Sequence, residues 1–168
     1  MSKSKAPRKA YKPKALRLNT MRAALAIKGC LNDQERQTIM GPTREALEAL
    51  RTGNLTSDDW RVLTDCANVG AELCKLGICS DGPSVAILMA MLYALGDIAR
   101  QLNERQRVTA RASELNAITE GVERHAIQLR FCSGGELRDA INAHERDKAK
   151  ARSGKYEVVT IEREGVAA

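Results

Sequence analysis

Lysine and arginine are the residues whose type and spacing point most directly to chemistry in this chain. Lys3, Lys5, Arg8, Lys9, Lys12, Lys14 and Arg17 fall within residues 1–17, and no acid interrupts them. Seven fixed positive charges on so short a segment suit phosphate oxygens, and binding of this kind weakens with salt because counterions are released. Tyr11 lies among them, in Lys9-Ala10-Tyr11-Lys12-Pro13-Lys14, where its ring could stack on an unpaired base. A second basic group is Arg100, Arg105, Arg107 and Arg111. On one continuous helix Arg100, Arg107 and Arg111 share a face, partly offset by Glu104. The nucleic-acid-binding set expected from sequence is therefore the seven arm cations, Tyr11, Arg100, Arg107 and Arg111. The competing reading is a solvated basic surface whose charges pair with nearby acids.

Catalytic chemistry has little to work with. His125 and His144 are the only histidines, and neither sits in a nucleophile pattern with Ser, Cys or Asp. G-x-S-x-G, G-x-x-x-x-G-K-[ST] and G-x-G-x-x-G are all missing. Glu120 and Glu123 lie on the same side as Arg124, which reads as surface pairing. Cys30, Cys66, Cys74, Cys79 and Cys132 are odd in number and have no paired C-x-x-C spacing. They read as reduced thiols, with no metal and no cofactor expected. An enzyme is not expected.

The distribution of charge sets the domain plan. The chain of 168 residues has 27 basic and 21 acidic residues. Seven of the basic residues sit in the arm, so 20 face 21 acids elsewhere and the body is near neutral, at −1. Residues 1–18 read as a flexible basic arm, because so polar a segment buries too little surface to fold alone. Residues 19–153 read as a helical domain, and 154–168 as a tail whose Tyr156 to Ile161 stretch is extended. Aromatic residues make up only 3%, so the core must be aliphatic. The arm lacks the apolar run of a signal peptide, and the cytoplasm of a bacterial host cell is the expected location.

The elements that must position these groups are helices. Asn19-Thr20 caps a short helix, Met21 to Lys28, that ends at Gly29. Asn32 or Asp33 caps the next, which Gly41-Pro42 should break or kink. Thr56-Ser57-Asp58-Asp59 opens a third with acids that suit the helix dipole. Those acids would face phosphates, which argues against a helix-turn-helix here. Gly82-Pro83-Ser84 opens the long central stretch through Phe131.

Two apolar stripes run along that stretch: Val85, Leu88, Leu92, Leu95, Ala99 and Leu102, then Val108, Ala112, Leu115, Val122, Ala126 and Leu129. They are out of phase by one residue, about 100° of rotation. One helix over the whole stretch would be roughly 70 Å long, so two segments that part near Asn103 are expected. Residues 82–96 carry no charge but are short for a membrane span, and Asp81 and Asp97 flank them. Met89, Met91 and Tyr93 lie off the first stripe, which suits a helix surrounded by others, or one that buries a second face against another subunit. Ser133 to Glu136 fits a capping box, and Leu137, Ala140, Ile141 and His144 form the inner face of the last helix. The expected fold is an all-α bundle of about five or six helices.

The opening, with Tyr11-Lys12-Pro13-Lys14 and then Leu18-Asn19-Thr20-Met21 before a short helical body, resembles small accessory proteins of proteobacterial phages and prophages. The likeness covers about residues 1–25 and transfers no functional residue. It implies a binder: an adaptor for DNA packaging, a virion part or an inhibitor of a host-defence complex. The expected function is non-catalytic binding to nucleic acid or to a host nucleoprotein surface through the arm. An oligomeric structural or packaging subunit, joined through residues 83–102, is the alternative, and a small enzyme the third.

Overall fold

Four of the five helices begin where a side chain satisfies a free amide of the first turn. Asn32 accepts from the Glu35 amide at 2.9 Å, and Glu35 returns a bond to the Asn32 amide at 2.8 Å. The same reciprocal pair joins Thr56 with Asp59 and Ser133 with Glu136. Asp81 accepts from the Ser84 amide at 2.7 Å, and Glu114 from the Arg111 amide at 2.7 Å. A computed structural model of the chain describes residues 29–105 and 108–153, and these form five helices. They are α1 (Asp33–Arg51), α2 (Ser57–Lys75), α3 (Gly82–Arg105), α4 (Ala112–Phe131) and α5 (Gly134–Arg152). The expected arm, the helix Met21 to Lys28 and the extended Tyr156 to Ile161 stretch lie outside the described residues.

The all-α bundle is as the sequence indicates, but its hub is α2, which packs against each of the other four helices. Leu63, Ala67 and Leu73 are fully buried along it. Trp60, at its N-terminal end, donates from Nε1 to the Leu95 carbonyl on α3 at 2.8 Å. The segment before α1 is pinned to the α4–α5 junction, where the Gly134 amide donates to the Gly29 carbonyl at 3.2 Å.

Gly41-Pro42 does not break α1, which runs unbroken from Asp33 to Arg51. The proline ring lies on the exposed side. Capping at Asn32 and burial of Met40, Thr43, Ala46, Leu47 and Leu50 outweigh the one amide that proline lacks.

The central stretch is two helices, α3 and α4, joined through residues 106–111. Val108 lies buried in this connection rather than in a helical stripe. Both apolar stripes hold in part: Leu88, Leu95 and Ala99 on α3 and Val122 and Leu129 on α4 are buried as the spacing indicates. On α3 the inward face is Ser84, Leu88, Met91, Ala94, Leu95, Ile98 and Ala99, while Val85 is exposed and Leu92 only half-buried. On α4 it is Glu114, Ile118, Gly121, Val122, His125, Gln128 and Leu129.

Two glycines set where the helices meet. A Cβ on Gly121 would lie 2.7 Å from the Cβ of Met91, and one on Gly70 would lie 3.0 Å from Leu88. The helices therefore approach most closely at these points, and Met91 and Leu88 fill the spaces. Gly82–Asn103 is long and apolar enough to cross a bilayer by length and composition, with a mean hydropathy of 1.5. Its inward side is nonetheless committed to the protein core.

Candidate interaction face and interhelical cavity

Of the basic residues that the sequence assigns to nucleic acid, Arg100 and Arg111 lie among the described residues. Lys3, Lys5, Arg8, Lys9, Tyr11, Lys12, Lys14, Arg17 and Arg107 lie outside the described residues. Arg100 is exposed on α3 and paired with Asp97 one turn back. Arg111 is the residue before α4, exposed, with its guanidinium 4.0 Å from Glu114. Arg100 and Arg111 thus sit on two helices and share no helical face, because α3 ends at Arg105. Elsewhere on the body Arg36, Arg51, Arg61, Lys75 and Lys148 each have an acid three residues away on the same helix. Such exposed pairs add little stability, but they leave the body without a strong field of one sign.

A cavity of about 300 Å³ lies between α1, α2, α4 and α5. Its wall is mostly apolar, with Ile39, Val62, Val69 and Ile141 among the lining residues. Thr43, Asp65, Cys66, His125 and His144 also line it, a grouping that spans four helices and leaves no trace in sequence spacing. Cys, His and Asp in one hollow invite a nucleophile reading, and the electrostatics decide against it. Burial pushes the Cys66 thiol up to about 12, and burial pushes His125 down to about 4. Both shifts oppose transfer of a proton from that thiol to that imidazole. An activated thiol–imidazole pair needs the opposite shifts.

The Nδ1 of His125 instead meets Gln128 Oε1 at 3.3 Å. At the edge, His144 Nε2 lies 2.9 Å from Asp65 Oδ1, and Lys148 Nζ donates to the same oxygen at 3.2 Å. Burial works to raise the Asp65 carboxyl, but these two partners together hold it below the ordinary carboxylate value. This is the pattern of an ion-pair cluster that ties α5 to α2. Among the described residues no group of three His, Cys, Asp or Glu side chains could hold a metal ion. All five cysteines are free thiols.

The feature least explained by the needs of the fold is the outward face of α3. Val85 is 41% exposed, Met89 40% and Tyr93 72%. Ala86 and Ala90 are exposed between them. The sequence marks Met89 and Tyr93 as a second face, but assigns Val85 to the core and Met91 to the outside. The signal that would have corrected both is Gly121, which needs a large partner opposite it. No protein-family model matches the chain, no curated protein matches its sequence, and no solved structure matches its fold.

Proposed function

We propose that this chain is a non-catalytic binding protein of the phage-accessory kind. Its basic arm engages nucleic acid or a host nucleoprotein surface, and its helical body docks protein through the outward face of α3. The observation that carries this reading is that face: an apolar, uncharged helix side held out by a folded body whose own charges are locally paired. Large apolar side chains exposed together on one helix favour a macromolecular contact over a structural role. The separation of a +7 arm from a −1 body supports a division of labour, in which attraction to polyanions resides in the arm. Free thiols throughout support a reducing compartment such as the cytoplasm of a bacterial host.

The cavity supports binding more than catalysis, because its thiol and inner imidazole are both held in neutral, unreactive forms. The test is a pull-down from bacterial lysate with and without nuclease, using wild type, a chain lacking residues 1–17, and Tyr93→Glu. Loss of nucleic acid with the arm, and loss of protein with Tyr93→Glu, are the expected results. Capture unchanged by either alteration would overturn the proposal.

A further inference from the structure

The outward residues of α3 follow a regular spacing. Gly82, Ala86, Met89, Tyr93, Gly96 and Arg100 recur at alternating intervals of four and three, the spacing of a coiled-coil seam. The inward residues Ser84, Leu88, Met91, Leu95 and Ile98 make a second seam, already filled by α2 and α4. The outward seam has no cover among the described residues.

Gly96 is the informative position. A Cβ built there would meet nothing within 4 Å, so the fold of one chain does not require glycine. Glycine inside a helix costs about 0.5–1 kcal/mol relative to alanine. Gly70 and Gly121 carry that cost for close contacts within the chain, whereas Gly96 has none. A glycine that faces outward from mid-helix, beside exposed Tyr93 and Met89, fits close approach by something outside the chain.

We infer that the outward face of α3 pairs with the same face of a second copy, the two helices running antiparallel about a two-fold axis near residue 91. This deepens the reading of α3 as a protein-docking face and rests on it. In that register Met89 faces Tyr93 of the second copy, a favourable thioether–aromatic contact. Ala86 faces Gly96, so small residues meet small and the backbones close in. Arg100, which pairs with Asp97 on its own helix, also reaches the end of the partner helix where Asp81 caps the first turn, and this opposite-charge approach occurs twice by symmetry. A parallel pairing would set Arg100 against Arg100 and Asp97 against Asp97, with Tyr93 on Tyr93 and the small residues leaving gaps. Residues 82–96 between the charged ends carry no charge, so nothing in the middle opposes burial. The match of charge at the ends and size along the seam selects a second copy as occupant.

The full-length chain tests this by light scattering across a concentration series, with helicity as the check on folding. Wild type should pass from monomer to dimer as concentration rises. Gly96→Leu should keep its helicity, since a Cβ there meets nothing within 4 Å, and should raise the dimer dissociation constant about 10- to 100-fold. Gly96→Ala should retain dimerisation better than Gly96→Leu.

Register is read by oxidation in a Cys30→Ser background. An equimolar mixture of Ala86→Cys and Gly96→Cys should cross-link faster than either alone. A monomer at every concentration, a dimer indifferent to Gly96→Leu, or Ala86→Cys linking best to itself would each overturn the inference. Protein capture that is lost with Tyr93→Glu, from a chain that stays monomeric, would sink self-pairing and leave the docking reading standing. Capture indifferent to Tyr93→Glu would sink both.

Discussion

Gln128 Nε2 on α4 donates to the carbonyl of Gly70 on α2 at 3.0 Å, and the residue is fully buried. The same nitrogen lies 3.3 Å from the Ile78 carbonyl, beyond the last turn of α2. One amide thus fastens the end of the hub helix to α4 and satisfies a carbonyl that has left the helical ladder. Replacing it with leucine, close in size, should cost about 1–3 kcal/mol, because buried acceptors lose their donor. Chemical denaturation of Gln128→Leu against wild type measures this. A loss below about 0.5 kcal/mol would mean that water replaces the amide without penalty.

The contact between Gly121 and Met91 gives a second expectation. Gly121→Ala would place its Cβ 2.7 Å from the Met91 Cβ, and overpacking of this kind costs about 1–3 kcal/mol. Met91→Ala alone should cost about 2–5 kcal/mol through the cavity it leaves. The double variant should be less destabilised than the two single losses added together, because each change relieves the other. Strict additivity in thermal or urea unfolding would show that the two helices do not meet at this point.

That contact also explains what the sequence did and did not disclose. Helix starts were readable at Thr56, Gly82-Pro83 and Ser133, because capping chemistry is local and written in neighbouring residues. The inner face of α5 was readable too, since Leu137, Ala140 and His144 follow a simple helical period. The faces of α3 and α4 were readable in part, since Leu88, Leu95, Ala99, Val122 and Leu129 are buried, but apolar periodicity ignores Ser84, Glu114, His125 and Gln128, which are buried as well. Glycine opposite methionine is a tertiary match, and no local rule reports it. The Asp65–His144 pair spans 79 residues, so the cavity was invisible for the same reason. The arginine track failed differently: it assumed one helix, and the turn before Ala112 divides it.

Acid should weaken the fold through His125. Its imidazole is buried and its pKa is lowered from 6.5 to about 4. Between those values the unfolded chain takes up a proton that the folded chain refuses, so stability falls as pH falls from about 6.5 to about 4. At about 1.36 kcal/mol per pKa unit, the total loss is about 3 kcal/mol. Above pH 6.5 both states are neutral at this residue and it contributes no slope.

The lowered Asp65 carboxyl acts in the same direction at lower pH, since its stabilising pairing is lost as pH drops through its folded value. His125→Leu should flatten the stability curve between pH 6.5 and about 4, whatever it does to absolute stability. An equally steep curve in that variant would assign the acid sensitivity elsewhere.

Polyanion binding gives the last expectation, and it follows from where the charge sits. The arm holds seven cations and no acid, while the body is at −1 with its arginines and lysines largely paired along their own helices. Affinity for duplex DNA should therefore fall steeply with salt, each phosphate contact adding about 0.9 to the log–log slope. Replacing Lys9, Lys12 and Lys14 together by alanine should reduce that slope by about 3 and weaken binding without sequence preference. Tyr11→Ala should affect single strands more than duplex, because only unpaired bases offer a face for stacking. Arg100 and Arg111 lie on different helices, so substituting both should change the slope less than the arm substitutions do. Gel-shift titrations at a series of salt concentrations measure all three variants and the wild type on one scale. If the wild type binds neither DNA nor RNA at about 50 mM salt, where phosphate contacts are weakly screened, direct nucleic-acid binding is excluded. The arm would then serve an acidic protein surface.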